Sequence, residues 1–202
     1  MIILKSKDEI EEIRYASKVV SEVLQTLKEK TEPGISTWDL NAIAEEITAS
    51  RNSKPAFKGY RNYPASICCA VNDEVVHGIP SKKKVLRDGD ILSIDFGVSR
   101  NGFYGDSAIT IPVGKISPEA SALLEVTRDS LYRGIANALP SKRLFDISHA
   151  IQTYVEAEGF SVVTAFVGHG IGRNLHEEPQ VPNFVPKNGN RWNDIRLRPG
   201  MV

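Results

Sequence analysis

A chain of 202 residues, 41% of them hydrophobic, is long enough to bury a core of its own without disulfide bonds. The 25 Lys and Arg residues balance the 25 Asp and Glu residues, which excludes a general basic surface for nucleic acid or anionic membranes. The N-terminal apolar run is too short for a signal peptide, and no later stretch approaches the ~20 apolar residues of a membrane span, so we expect a cytoplasmic globular protein.

Two amphipathic helices are predicted in the first quarter of the chain. The first begins at the capping pattern of Ser6 and Glu9 and ends before Pro33. The second follows Thr37 and ends in the polar segment 50–54. Apolar residues recur at helical spacing in both, namely Ile10, Ile13, Val20, Leu24 and Leu27 in the first and Leu40, Ile43, Ala44 and Ile47 in the second.

A hairpin and two more helices are predicted next. Residues 85–98 and 103–113 are rich in β-branched and aromatic residues and flank the turn-forming segment 99–102. Ser117 and Pro118 are typical of a helix start, and this helix is predicted to run to about Leu139. The last predicted helix covers 144–158. The two cysteines, Cys68 and Cys69, are adjacent, which forbids an ordinary disulfide and favours small core or pocket-lining roles.

The order helix, helix, strands occurs twice, and the second copy repeats short pieces of the first. Segment 86–89 resembles 197–200, and at a slightly smaller offset Pro33, Asp39 and Leu40 match Pro140, Asp146 and Ile147. So few matches leave duplication and chance equally open. If the repeat is real, the second copy is expected to end inside its final strand.

Asp95 and Asp106 lie on the two predicted arms of the hairpin. If the loop has two residues, 100–101 or 101–102, both carboxylates share one face at roughly 5–8 Å. Two like charges that close repel each other unless a cation lies between them. A three-residue loop would instead put them on opposite faces. A further possibility is that one aspartate caps the turn while the other is solvated.

Three of the four histidines lie in glycine-bearing loops. His77 precedes Gly78, His169 lies in the string GHGIG, and His176 follows shortly after. Glycine lets a backbone approach a metal or substrate closely, although a single histidine of this kind is more commonly a hydrogen-bonded structural residue. His149 lies within a predicted helix and is interpreted as a surface or core residue.

Carboxylates combined with imidazoles suit Mn²⁺, Fe²⁺, Co²⁺ or Zn²⁺. The reaction class that this ligand set favours is metal-assisted hydrolysis, in which two cations about 3.5–4 Å apart share a hydroxide nucleophile. The sequence contains no G-x-S-x-G elbow, no P-loop and no dinucleotide fingerprint after a strand.

Five strings, in this order and spacing, resemble those of the type I methionine aminopeptidases: VNDEVVHGIP, DGDILSIDFG, NGFYGDSA, GHGIG and HEEPQVPNF. The resemblance runs over residues 6–184. It implies an α+β pita-bread fold, with two pseudo-twofold-related αβ halves around a mainly antiparallel sheet and an incomplete second half. Residues 1–202 would then form a single catalytic domain.

The resemblance also implies roles for individual residues. Asp95, Asp106 and His169 match metal ligands of the family. His77 and His176 match the catalytic histidines that hydrogen-bond the substrate and its tetrahedral intermediate. Residues that fall where the family lines its methionine pocket are Tyr60, Tyr63, Cys68 and Leu175, and a polarizable thioether suits such an apolar slot.

The sequence departs from the family near its end. The family completes its site with two glutamates, the first of which also serves as general base, and neither position occurs in the 202 residues. Glu177 and Glu178 belong to the HEEP string and are not assigned these roles. Segment 187–194 differs from the short glycine-rich turn of the family. We therefore expect an incomplete second metal site and a poor enzyme from these residues alone.

The function implied is removal of the initiator methionine from nascent polypeptides, with two divalent metal ions (Co, Mn, Fe or Zn). The expected partners are nascent N-termini at the ribosome, and the enzyme is expected to be a monomer without nucleic acid or membrane partners. Two alternatives remain. A proline-specific pita-bread peptidase would share the metal ligands but not the VNDEVVHGIP context, and a non-catalytic pita-bread module would have lost its metals.

Overall fold

The computed structural model describes residues 1–186 and 194–202, which form two compact units. The aspartate unit comprises Asp8–Ala120 and Gly172–Leu175, and it contains Asp95 and Asp106. The histidine unit comprises Met1–Lys7, Ser121–Ile171 and His176–Val202, and it contains His169 and His176.

Two helices open the aspartate unit, as predicted. Helix α1 covers Lys7–Lys30 and helix α2 covers Thr37–Ser50. A capping box starts α2, because the backbone N–H of Asp39 donates to Ser36 Oγ at 3.2 Å and the Ser36 N–H donates to the Asp39 carboxylate at 3.3 Å. The observed ends of both helices agree with the predicted boundaries to within a few residues.

One antiparallel sheet follows, with a short 3₁₀ turn at Tyr60–Asn62 between its first two strands. Its strands are β1 (Lys54–Pro55), β2 (Ile67–Val71), β3 (Ile91–Arg100) and β4 (Phe103–Pro112). Strand β3 pairs with β4 along its whole length and with β1 and β2 on its other edge.

The first arm of the hairpin was predicted to begin at residue 85, and this boundary is wrong. Strand β3 begins at Ile91, because the preceding residues form a turn in which the Asp90 N–H donates to the Arg87 carbonyl at 3.1 Å. Gly89 in that turn has a φ of +96°, a left-handed conformation that no strand residue adopts. Val85 forms only an isolated bridge, with Ser36.

The core of the aspartate unit lies on one face of this sheet. Leu92, Ile94, Phe96 and Val98 alternate along β3 and are all fully buried against apolar residues of α1 and α2. The intervening residues of β3, among them Asp95, point to the opposite face. The core therefore fixes which face of the hairpin carries the candidate ligands.

The histidine unit contains helices α3 (Pro118–Ala136) and α4 (Leu144–Ala157) and strands β5 (Gly168–Gly170) and β6 (Glu177–Val181). Helix α3 ends three residues before the predicted Leu139, because residues 137–139 continue as turns. One small core cluster among its described residues is formed by Val126, Ile151 and Val155 with partly buried neighbours.

The two units repeat one local arrangement, which is what a duplication would produce, one of the two possibilities that the sequence left open. At the start of α4 the Arg143 N–H donates to the Asp146 carboxylate at 2.8 Å, as the Ser36 N–H donates to Asp39 at the start of α2, although the Arg143 side chain has no acceptor to complete a capping box. Two backbone hydrogen bonds of 2.9 Å then join the start of each helix to a later segment. In the aspartate unit the Thr37 N–H donates to the Lys84 carbonyl and the Leu86 N–H donates to the Ile35 carbonyl. In the histidine unit the Leu144 N–H donates to the Ile195 carbonyl and the Leu197 N–H donates to the Lys142 carbonyl.

The prediction for segment 187–194 falls outside the described residues except for Asp194, whose carboxylate pairs with Arg143 at 2.6 Å. Within residues 1–186 and 194–202, no helix combines the length and apolar character needed to span a bilayer.

Candidate functional site

The hairpin turn that joins β3 to β4 has two residues. Arg100 pairs with Phe103, so Asn101 and Gly102 form the loop, with φ angles of 50° and 77°. Positive φ at both positions is the signature of a type I′ turn, whose twist matches that of the strands. The two-residue loop is confirmed, and the three-residue alternative is wrong.

This turn sets the positions of the two aspartates. Asp95 lies opposite Ala108, and Asp106 lies opposite Gly97. Because residues 95 and 97 of a strand point to the same face, the two carboxylates share that face and are diagonal neighbours. Both are half-buried on the side of the sheet away from the core. The same-face arrangement is thus confirmed.

The electrostatics of this pair are those of two carboxylates that hold one proton. Burial, followed by the charge of Asp95 and a hydrogen bond with it, raises the pKa of Asp106 to about 8, against a smaller opposing effect of the Ser107 backbone N–H. Near neutral pH the pair therefore carries about one negative charge rather than two. A cation placed between the oxygens would displace the proton and relieve the repulsion.

Cys68 lies on the same face, because it pairs with Asp95 across β2 and β3. Burial raises the pKa of its thiol to about 11, although a hydrogen bond with Tyr63 lowers it in part. The thiol is therefore neutral at physiological pH and unsuited to nucleophilic attack. Cys69 belongs to the core on the other face, and burial raises its pKa to about 12. Both agree with the predicted pocket-lining or core roles.

Tyr63 and His77 lie in the loops that border strand β2. The Tyr63 hydroxyl is 3.1 Å from the carbonyl of Ile67 and 3.0 Å from that of Gly78. The Cys69 backbone N–H also donates to the Gly78 carbonyl, at 2.7 Å. His77, directly before Gly78, is exposed and has a φ of +59°.

The segment Gly172–Leu175 belongs to the aspartate unit and lies on strand β4. The Tyr104 N–H donates to the Gly172 carbonyl at 3.0 Å, and the Arg173 guanidinium stacks on the Phe103 ring at 4.5 Å. Leu175 is buried, whereas Tyr60, at the start of the 3₁₀ turn, is half-buried. Gly172 is therefore held against β4 at Tyr104, two positions from Asp106.

His169 and His176 are neighbours in the histidine unit, with ring centroids 4.2 Å apart. The Nδ1 atom of His169 lies 2.9 Å from the Gly170 carbonyl. A carbonyl only accepts hydrogen bonds, so Nδ1 carries the proton and Nε2 of the neutral ring carries the lone pair. Metal-binding histidines commonly have this tautomer.

Sequence reasoning missed a buried ion pair beside His176. The Lys5 ammonium binds the Glu177 carboxylate, and the two side chains are only 3% and 9% exposed. Lys5 Nζ also donates to the Ile3 carbonyl at 3.2 Å, and the Lys5 backbone N–H donates to Gly200 at 2.7 Å. A single lysine in an N-terminal apolar run carries no signal of a partner 172 positions away.

The structure thus groups the predicted residues by unit. Asp95, Asp106, Cys68 and the hydroxyl of Tyr63 come together, and His169 comes together with His176. Within the described ranges there is no group of three or more His, Cys, Asp or Glu side chains arranged to hold a metal ion. The meeting of the aspartates with the histidines stays a prediction. His149 is exposed on α4, as expected, and its Nδ1 lies 3.4 Å from Thr153 Oγ1.

Comparison with known proteins shows what this chain is similar to. The model of metallopeptidase family M24 matches residues 11–202. Methionine aminopeptidase 1 of Bacillus subtilis is 52% identical over 202 residues, which span all of this chain and 79% of that protein. A crystal structure of methionine aminopeptidase from Thermotoga maritima superposes with a TM-score of 0.94 at 44% identity and covers 100% of this chain, which spans 79% of that one.

A more distant likeness concerns the fold alone. Prolidase from Pyrococcus furiosus superposes with a TM-score of 0.84 at 23% identity, and the match covers 98% of this chain and 55% of that protein. At this identity the two proteins share an architecture without a demonstrated common substrate.

Proposed function

This chain belongs to metallopeptidase family M24 and has its α+β pita-bread fold, and we propose that it removes N-terminal methionine from polypeptides. The methionine aminopeptidases to which it is about half identical along its whole length support this substrate. The observation that carries the proposal is the carboxylate pair of Asp95 and Asp106, which shares one face of the hairpin and one proton.

Divalent metal dependence follows from the family. We propose that the enzyme uses two ions drawn from Co²⁺, Mn²⁺, Fe²⁺ and Zn²⁺, that Asp95, Asp106 and His169 would hold the first, and that the second site is incomplete without the two glutamates of the family. The residues fit such a group, because two crowded carboxylates need a positive charge between them and His169 has the ligand tautomer. Bound ions would lower the pKa of a coordinated water and polarise the scissile carbonyl.

The chain's own residues would supply the contacts to the substrate. His77 and His176, both exposed imidazoles in loops, donate hydrogen bonds to the substrate carbonyl and to the tetrahedral oxyanion that replaces it. Tyr60, Tyr63, Cys68 and Leu175 line the slot for the methionine side chain. Burial raises the pKa of both Tyr63 and Cys68, so the slot stays uncharged and suits a thioether.

We further propose that the substrates are nascent chains at the ribosome. The reaction then takes place in the cytoplasm, and the enzyme acts as a monomer that recognises only the free N-terminus and the first two side chains.

The test measures methionine release from Met-Ala and Met-Lys peptides with Mn²⁺ or Co²⁺ in excess. A version of the chain that carries both glutamates of the family is expected to cleave Met-Ala and to reject Met-Lys, because a large second side chain would meet the wall of the site. Asp95→Asn should lower the rate by about 10³-fold, because losing a ligand removes several kcal/mol of charge stabilisation. Asp129→Asn, the same change at an exposed carboxylate on α3, is the matched control and should leave the rate unchanged.

Two results would overturn the proposal. Efficient cleavage of X-Pro peptides, with no release of methionine, would assign the protein to the proline-specific branch whose fold it shares. Tight metal binding without hydrolysis of any of these peptides would indicate a binding module.

A further inference from the structure

The hydroxyl of Tyr63 lies between the Cys68 thiol and two carbonyls of the protein backbone. It carries one hydrogen and has two carbonyl acceptors within reach, Ile67 at 3.1 Å and Gly78 at 3.0 Å. Burial raises the pKa of this phenol far above its ordinary value, so the donor proton is always present. Apolar contact with a substrate would not require a hydroxyl that is hydrogen-bonded in this way.

The Gly78 carbonyl is held from a second side by the Cys69 N–H, at 2.7 Å. Gly78 therefore lies against the outer edge of β2, so close that a Cβ added to it would fall 2.0 Å from the Cys69 carbonyl oxygen. Only glycine fits there. Tyr63 and Cys69 together fix this peptide unit in one position.

The residue before this fixed unit is His77. Its φ of +59° is unfavourable for a residue with a side chain and costs about 1–2 kcal/mol. Such a conformation persists only where the surroundings impose it. Contacts on both sides of the 72–81 loop hold its remainder: Glu74 accepts from the Val71 N–H at 2.9 Å, and the Ser81 N–H donates to Thr37 Oγ1 at 2.9 Å.

We propose that Tyr63 is a positioning residue for His77: its hydroxyl fixes the Gly78 carbonyl and thereby the direction of the His77 imidazole. This inference rests on the proposed function, in which His77 hydrogen-bonds the substrate. It assigns the ring of Tyr63 and its hydroxyl to different tasks, since the ring faces the methionine slot while the hydroxyl orients a histidine.

Tyr63→Phe separates these tasks, because it keeps the ring and removes only the donor. Loss of one hydrogen bond that orients His77 should lower kcat for Met-Ala about 3- to 10-fold, with KM unchanged. In a His77→Ala background the same substitution should have no further effect on kcat, because the residue through which Tyr63 acts is gone. Tyr132→Phe, at a tyrosine that is 63% exposed on α3, is the matched control.

Hydrogen exchange tests, without reference to catalysis, whether the Tyr63 hydroxyl holds the Gly78 carbonyl in place. In Tyr63→Phe, amides of residues 72–80 should exchange faster than in wild type, and in Tyr132→Phe they should not. Faster exchange in a protein that releases no methionine would support the hold of Tyr63 on the Gly78 carbonyl and overturn the proposed function. Unchanged exchange would overturn the inference, and so would a kcat effect that persists undiminished in the His77→Ala background or one confined to KM.

Discussion

The aspartate unit and the histidine unit each begin their second helix with an aspartate that accepts from the N-cap N–H, but the two units are stabilised differently. In the aspartate unit a continuous core covers one whole face of β3, including Ile94 and Phe96, both fully buried. In the histidine unit one described core cluster is small and surrounds Ile151, and apolar side chains such as Leu131 and Ile135 on α3 are more than half exposed.

This difference shows two ways of placing a functional side chain. Asp95 and Asp106 are positioned by the register of a ten-residue ladder, so their geometry is a property of the whole sheet. His169 and His176 lie on and beside short strands, and a buried ion pair of Lys5 with Glu177 follows His176 directly. The carboxylates should therefore tolerate local damage, whereas the histidines should depend on a few contacts.

The largest expected effect is at that ion pair. Lys5→Met leaves the Glu177 carboxylate buried without its cation and should lower the free energy of unfolding by about 3–5 kcal/mol. The loss should be confined to the histidine unit. Denaturant unfolding measures the stability, and hydrogen exchange over residues 176–181 locates the change.

The matched control for Lys5→Met is Arg14→Met. Arg14 pairs with Glu11 at 3.2 Å on an exposed helix face, where an ion pair contributes about 0–1 kcal/mol. Equal losses in the two variants would mean that the buried pair has no special weight, and the proposed dependence of the histidines on local contacts would fail.

The same substitution made in each unit sharpens the comparison. A Cβ on Gly105 would fall 2.6 Å from the Ser17 backbone nitrogen of α1. Because the backbone of a packed helix cannot move aside easily, Gly105→Ala should lower the free energy of unfolding by about 1–3 kcal/mol. The nearest atoms to a Cβ on Gly134 would all belong to side chains, Ile151 at 2.8 Å and Ile147 at 3.4 Å. The Ile151 side chain can rotate, and alanine gains about 1 kcal/mol of helix propensity over glycine.

Gly134→Ala should therefore be close to neutral in thermal unfolding, while Gly105→Ala lowers the melting temperature. A larger loss for Gly134→Ala than for Gly105→Ala would contradict the contrast between a tightly packed unit and a yielding one.

A smaller effect is expected from pH. In the metal-free protein the pKa of Asp106 is raised from 3.8 to about 8, so the stability linked to its proton is fully present below about pH 4 and is lost as pH rises through about 8. The asparagine side chain of Asp106→Asn does not ionise, so this variant has no such pH-dependent loss of stability. Above pH 8 it should exceed metal-free wild type by at least about 1 kcal/mol, or about 2–4 °C in melting temperature, and below pH 4 the two should agree. A pH-independent difference would show that charge repulsion is not its source.

Much of the aspartate unit follows from sequence because strand alternation and turn chemistry are local rules. Asn101-Gly102 specifies the turn, and the turn specifies that Asp95 and Asp106 share a face. The start of β3 was misjudged because Val85 and Leu86 are apolar, although the turn at Arg87 follows them. The contacts of Lys5 with Glu177 and of Tyr63 with Gly78 join residues with no local pattern between them, so sequence reasoning had no means of finding either.

The central claim is that Asp95 and Asp106 hold a divalent cation in place of their shared proton. Calorimetric titration of the metal-free protein with Mn²⁺ at pH 7, repeated in buffers of different ionisation enthalpy, measures both the affinity and the protons released. We predict that wild type binds Mn²⁺ with release of close to one proton, and that Asp106→Asn binds it far more weakly and releases none. Equal affinity and equal proton release in the two proteins would contradict the claim.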